Sequence, residues 1–127
     1  MFGSIVDAIK LARDAWPKRW SNVAVRFLVQ EMGLGFVCDD KDMGTIRVTV
    51  LDGSGEHVAY LEGANSHAAG CGAAFNLRGL PAELLADCFH MARCFREFER
   101  TGNADYAHGF EHFRTRAVRG WESLPRR

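Results

Sequence analysis

The strongest constraint on the fold lies in the last third of the chain, where two apolar stripes of helical period flank a three-residue connection. Leu84, Cys88, Met91, Phe95 and Phe98 recur at steps of three and four residues, and so do Tyr106, Phe110, Phe113, Ala117 and Trp121. Pro81 followed by Glu83 is a start signal, because a first-turn N–H has no intrahelical partner to lose and an acid suits the positive end of the helix. Within Thr101-Gly102-Asn103, glycine can stop one helix and asparagine can cap the next. An αα-hairpin over 81–122 is the expectation, and its stripes need another layer to cover them.

That layer is read in the middle of the chain. Ile46, Val48 and Val50 alternate with Arg47 and Thr49, the pattern of a half-buried strand. Gly35 to Cys38 and His57 to Leu61 are further short apolar runs. Asp52-Gly53-Ser54-Gly55 is a hairpin connection, since glycine tolerates positive φ, and Asp39-Asp40-Lys41-Asp42-Met43-Gly44 reads as the preceding turn. These segments predict a small antiparallel sheet of three strands over 35–62, with a fourth near Ala73 to Leu77 inside a small-residue loop over 63–80.

The first 34 residues read as two helical segments. Ile5, Ile9, Ala12 and Trp16 share a helical face, and Pro17 ends that segment. The next is ambiguous: Val23, Val25, Phe27 and Val29 alternate like a strand, while Val23, Phe27 and Leu34 also fit a helix. Ser21 as a cap and Gly33 as a stop favour a buried helix over 21–32. The expected fold is therefore α+β within one domain of 127 residues, closed by a short tail at 123–127.

Composition narrows the function classes. Sixteen basic residues balance 16 acidic ones, so no global field draws the chain to nucleic acid or to an anionic membrane. No apolar run approaches the roughly 20 residues of a membrane helix. The start, Met-Phe-Gly-Ser, lacks a secretory apolar region, and the 4 cysteines form no CxxC pair. A reducing cytoplasm is the expected setting, with no membrane partner and no cofactor.

Two constellations bear on chemistry. His90 and Cys94 are one helical turn apart, as are His108 and His112, and a folded hairpin sets the two pairs opposite each other with zinc-type ligands. His108 and His112 nevertheless lie away from Phe110 and Phe113, and His90 lies off the Leu84/Met91/Phe95 stripe. Side chains on outward faces do not close on one ion, and rim or solvated histidines are expected. In the small-residue segment from Gly63 to Ala74, glycines flank Cys71, with His67 four residues earlier. A thiol with a neighbouring base and glycine backbone is the minimal outline of a cysteine nucleophile. The segment carries neither a nucleophile elbow nor a phosphate-binding loop, so close packing of small residues is the simpler reading.

The basic residues form two rows. His108, His112, Arg116 and Arg119 share an outer face of the last helix, and Arg93, Arg96 and Arg100 share one on the helix before it. Guanidinium pairs with carboxylate and phosphate alike, so either row could seat an acidic protein surface or a nucleic-acid backbone. The arginines of both rows also sit toward the C-terminal halves of their helices, where cations oppose the macrodipole. The acids at Asp39, Asp40 and Asp42 miss the calcium-loop pattern and read as a solvated turn. Residues 35–62 hold six acids against two bases, and residues 93–127 hold eight bases against five acids, a polarity suited to self-association or to a partner with its own charge pattern.

No acid–base or metal set converges, which leaves surface contact as the leading expectation: a non-enzymatic protein-binding module that also forms homo-oligomers. Small size without catalytic machinery is the character of phage or mobile-element inhibitors of host defence complexes, anti-CRISPR proteins among them. The alternatives are a small enzyme using Cys71 and His67, and a nucleic-acid binder using the arginine rows.

Overall fold

The computed structural model describes residues 25–42, 44–66 and 71–125. Five strands form one antiparallel meander in chain order: β1 (Val25–Val29), β2 (Leu34–Asp42), β3 (Thr45–Leu51), β4 (His57–Ala64) and β5 (Cys71–Asn76). Two helices follow, α1 (Ala82–Thr101) and α2 (Ala104–Glu122). The α+β arrangement with a C-terminal hairpin on the sheet is as the sequence predicts, while the helical segment expected over 4–16 and its Pro17 end lie outside the described residues.

The sheet is larger than expected, and one reason is a correction. Val25–Val29 is a strand, and the helix expected over 21–32 is absent from that stretch. Val25, Phe27 and Val29 turn toward the helices, whereas Leu28 packs on the opposite face with Val37 and Leu51. Pairing with β2 sets Phe27 against Phe36 and Val29 against Leu34, so the period of two fills two layers at once. Gly33 does stop a helix, with φ 60°, but only the 3-10 turn Gln30–Met32. A second correction concerns the acidic turn. β2 runs on to Asp42, so Asp39 and Asp40 are strand residues, and Asp39 pairs with Arg47 across the ladder at 2.6 Å.

Ile46, Val48 and Val50 are buried, and Arg47 and Thr49 face the other way, as their alternation requires. Asp52 organises the β3–β4 connection: its Oδ1 accepts from the Ser54 amide at 2.9 Å, the Ser54 hydroxyl at 2.6 Å and the Glu56 amide at 3.0 Å. These bonds hold its carboxyl below the usual range, the Ser54 hydroxyl contributing most.

α1 lies across the sheet and touches all five strands, while α2 packs along α1 and reaches the 3-10 turn that follows β1. Rings join the sheet to both helices: Phe27 stacks on Phe36 at 5.2 Å and on Phe95 at 4.4 Å, and meets Phe110 of α2 edge-on at 5.6 Å. The connection works as expected, with Gly102 at φ 71° donating to the Phe98 carbonyl at 2.7 Å and Asn103 accepting from the Asp105 amide at 2.9 Å. Close approach of the helices depends on Gly109, since a Cβ there would stand 2.8 Å from the Cys94 Sγ.

Candidate protein-binding face

The two basic rows of the hairpin have different fates, because α1 lies between all five strands and α2, whereas α2 meets only α1 and the region of β1 and the 3-10 turn. A helix between a sheet and a second helix buries far more than one stripe, and α1 buries Leu85, Phe89 and Ala92 as well as the predicted Leu84, Cys88, Met91 and Phe95, with Phe98 partly buried. Arg93 is carried inside with them and is 1% exposed, which corrects its placement on an outer face. Arg96 is also largely enclosed, its side chain 14% exposed, and its guanidinium bridges Asp40 at the end of β2 and Glu97. Arg100 is exposed but is held by Glu97, its Nε donating at 2.8 Å.

Glu97 is the centre of this cluster, and the sequence reading missed it. It is 0% exposed, and its carboxylate accepts from Asn65 beyond β4, from Arg96 at 3.1 Å and from Arg100. Two arginines and an amide compensate the cost of removing the carboxylate from water. The cluster ties the C-terminal half of α1 to the sheet at Asp40 and Asn65. Its local signal was the three-residue step from Glu97 to Arg100, a helix-surface ion-pair spacing that by itself says nothing of burial.

The row on α2 is different. His108, His112, Arg116 and Arg119 are all exposed, at steps of four, four and three, and so occupy one outward face. Arg116 makes a single 3.1 Å contact to Asp87 of α1 with its side chain still 56% exposed. Among the described residues, Arg119 makes no ion pair. Arg114 leaves on another side of the helix to meet Glu31 beside the 3-10 turn at 2.5 Å. Below Arg116 and Arg119, the start of α1 and the end of α2 enclose a shallow groove of about 570 Å³, with Glu83 and Asp87 on its opposite wall.

The candidate metal ligands are not brought together. Cys94 is buried against Gly109, and His90 is wedged between Phe113 at 5.0 Å and Phe89 at 5.4 Å. His108 and His112 are on the outer face, where His112 touches the edge of Phe113. Among the described residues, no group of three or more His, Cys, Asp or Glu is placed to share an ion.

Cys71 opens β5 and packs, half-buried, against the main core. Burial pushes its thiol pKa up, the reverse of the shift that activates a nucleophile. The proposed base, His67, lies outside the described residues. Cys88, buried on α1, is pushed up to about 12, also by burial, so this thiol too is held neutral.

Among the described residues no helix is long and apolar enough to cross a membrane. No known protein family, curated protein or solved structure matches the chain, so its function has to be argued from its own geometry.

Proposed function

We propose that the chain is a non-enzymatic protein-binding module whose working face is the row His108, His112, Arg116 and Arg119 on α2, fitted to an acidic protein surface. The observation that supports this reading is the contrast between the two rows. The arginines of α1 are engaged within the fold, whereas those of α2 stand on a rigid helix with Arg119 exposed and outside any ion pair among the described residues. A guanidinium on a fixed helix face binds a carboxylate in paired geometry without first being ordered, which favours both affinity and choice of partner.

The same contrast weighs against nucleic acid. A phosphate backbone needs an extended basic surface, and withdrawing Arg93 and Arg96 into the interior leaves three of the five arginines in the two rows. The raised thiol pKa of Cys71 weighs against a cysteine enzyme. The narrower reading, an inhibitor carried by a phage or mobile element that acts in the cytoplasm by covering a host defence complex, rests on small size and a surface-only mode of action.

The test is capture of a stoichiometric partner by the immobilised chain, compared with the Arg116→Glu/Arg119→Glu variant and with Glu56→Gln in the β3–β4 turn as a control. Loss of the partner only in the arginine variant supports the face. Equal capture by all three chains removes it. Retention on heparin to high salt, lost in the same variant, would move the face to nucleic acid.

A further inference from the structure

The sheet has a second face, and its apolar part is closed although both helices lie on the other side. Alternation along the strands turns Leu28, Gly35, Val37 and Leu51 away from α1 and α2. Gly35 pairs with Leu28 of β1 and with Leu51 of β3, so its missing side chain leaves a trough between two leucines. Leu51 is nevertheless 0% exposed and Val37 6%. Strand neighbours shield a leucine from the sides and leave its tip in water, so burial this complete calls for a layer above it. The charged part of the same face is settled within the sheet. Asp39 takes Arg47 in a two-point contact at 2.6 and 3.0 Å, and Lys41 meets Glu62 at 2.8 Å.

We infer that residues 4–16 of the same chain are that layer, laid as an amphipathic helix over Leu28, Gly35, Val37 and Leu51. Length singles out this occupant. The stretches outside the described residues are 1–24, 43, 67–70 and 126–127, and only the first is long enough to cross a sheet. It joins β1 at Val25, on the strand that carries Leu28. At about 1.5 Å per residue a helix over 4–16 is about 20 Å long, and five strands about 4.8 Å apart span about 19 Å. The connection 17–24 reaches about 26 Å when extended, enough to bring the helix back over the sheet. The chemistry agrees. Ile5, Ile9, Ala12 and Trp16 supply an apolar stripe for the leucines, and Asp7, Lys10, Arg13 and Asp14 fall elsewhere around the wheel. The tether also gives this segment an effective concentration that a second copy or a separate partner lacks. Helix, sheet and hairpin then form three layers, and the exposed row on α2 stays clear on the far side.

Hydroxyl-radical labelling of the full chain, read by mass spectrometry and paired with sedimentation velocity, tests this. In the dilute monomer Leu51 and Trp16 should be protected like Phe36 on the inner face, while Leu77, 72% exposed, marks the labelling of an open side chain. Leu28→Glu should expose Trp16, and Ile9→Asp should expose Leu51, with Phe36 still protected in each to show that sheet and hairpin remain folded. Ile9→Ala is the milder second test. It should lower the folding equilibrium constant at least about tenfold, as loss of a buried side chain does, whereas Lys10→Ala elsewhere on the wheel should change it by less than about threefold. Three results would each overturn the inference: Leu51 labelled as fast as Leu77, protection lost on dilution as a dimer parts, or an Ile9→Ala cost no larger than that of Lys10→Ala. Trp16 still protected in a folded Leu28→Glu chain would do the same.

Discussion

Replacing Glu97 with alanine tests how far the buried ion cluster holds the hairpin to the sheet. The side chain is 0% exposed, and its removal strands three donors: Asn65, Arg96 and Arg100. The Arg100 share is small, because that side chain is 58% exposed and water replaces the lost carboxylate. Arg96 is different. At 14% exposure it keeps only Asp40 as an anionic partner, itself open to solvent. A hydrogen bond to a charged group contributes about 1.5–3 kcal/mol, and breaking a buried pair from one side costs about 3–5 kcal/mol. Asn65 is exposed enough to rehydrate, so the lower end applies, and Glu97→Ala should cost about 3 kcal/mol. With a urea slope of about 1–3 kcal/mol/M for a small protein, the unfolding midpoint should fall by about 1–3 M. Glu97→Gln keeps the shape and a carbonyl acceptor and should lose about half as much. A shift below about 1 kcal/mol for the alanine variant would refute the reasoning, since the cluster would then contribute no more than a solvated pair.

Gly109→Ala should destabilise by about 1–2 kcal/mol despite the better helix propensity of alanine, because the new methyl meets the Cys94 Sγ at 2.8 Å. In a Cys94→Ala background the same change should become neutral or stabilising in a double-mutant cycle, and equal costs in both backgrounds would deny the contact. Asp52 gives a pH signature. Its pKa is lowered in the folded chain, so its contribution is fully present above the unfolded value of about 4 and is lost as pH falls through the lower folded value. Asp52→Asn should therefore be less stable than the unaltered chain at neutral pH and converge with it at about pH 2; a gap that persists in acid contradicts the account. Cys71, its thiol pKa raised by burial, should react with iodoacetamide more slowly at pH 7 than a free cysteine, and fast labelling would revive the nucleophile reading.

The parts of the fold that were readable in the sequence are those set by neighbours along the chain. Gly102 and Asn103 stop and cap helices whatever lies around them, and Asp52 gathers donors from within four residues. β1 was misread because Val23, Phe27 and Leu34 satisfy a helical period as well as Val25, Phe27 and Val29 satisfy an extended one. What decides between them is Phe36 across the ladder and Phe95 above it, neither visible locally. Arg93 was placed outside because a wheel with one apolar stripe implies one buried face. α1 has two, and the second exists only because α2 folds back over it. Glu97 was invisible for a related reason: the partners that let a carboxylate be buried include Asn65, 32 residues away in sequence. The row on α2 was readable because the contacts of that helix with α1 and with the 3-10 turn leave its polar face where the wheel puts it.

The measurement that bears most directly on the proposed binding face is calorimetric titration of the captured partner with the Arg116→Glu/Arg119→Glu chain, alongside its thermal unfolding. The account predicts binding at least about tenfold weaker, a loss of about 1.4 kcal/mol or more, with the unfolding midpoint unchanged. Equal affinity in a folded variant would show that the partner docks elsewhere and would contradict the claim that α2 carries the function.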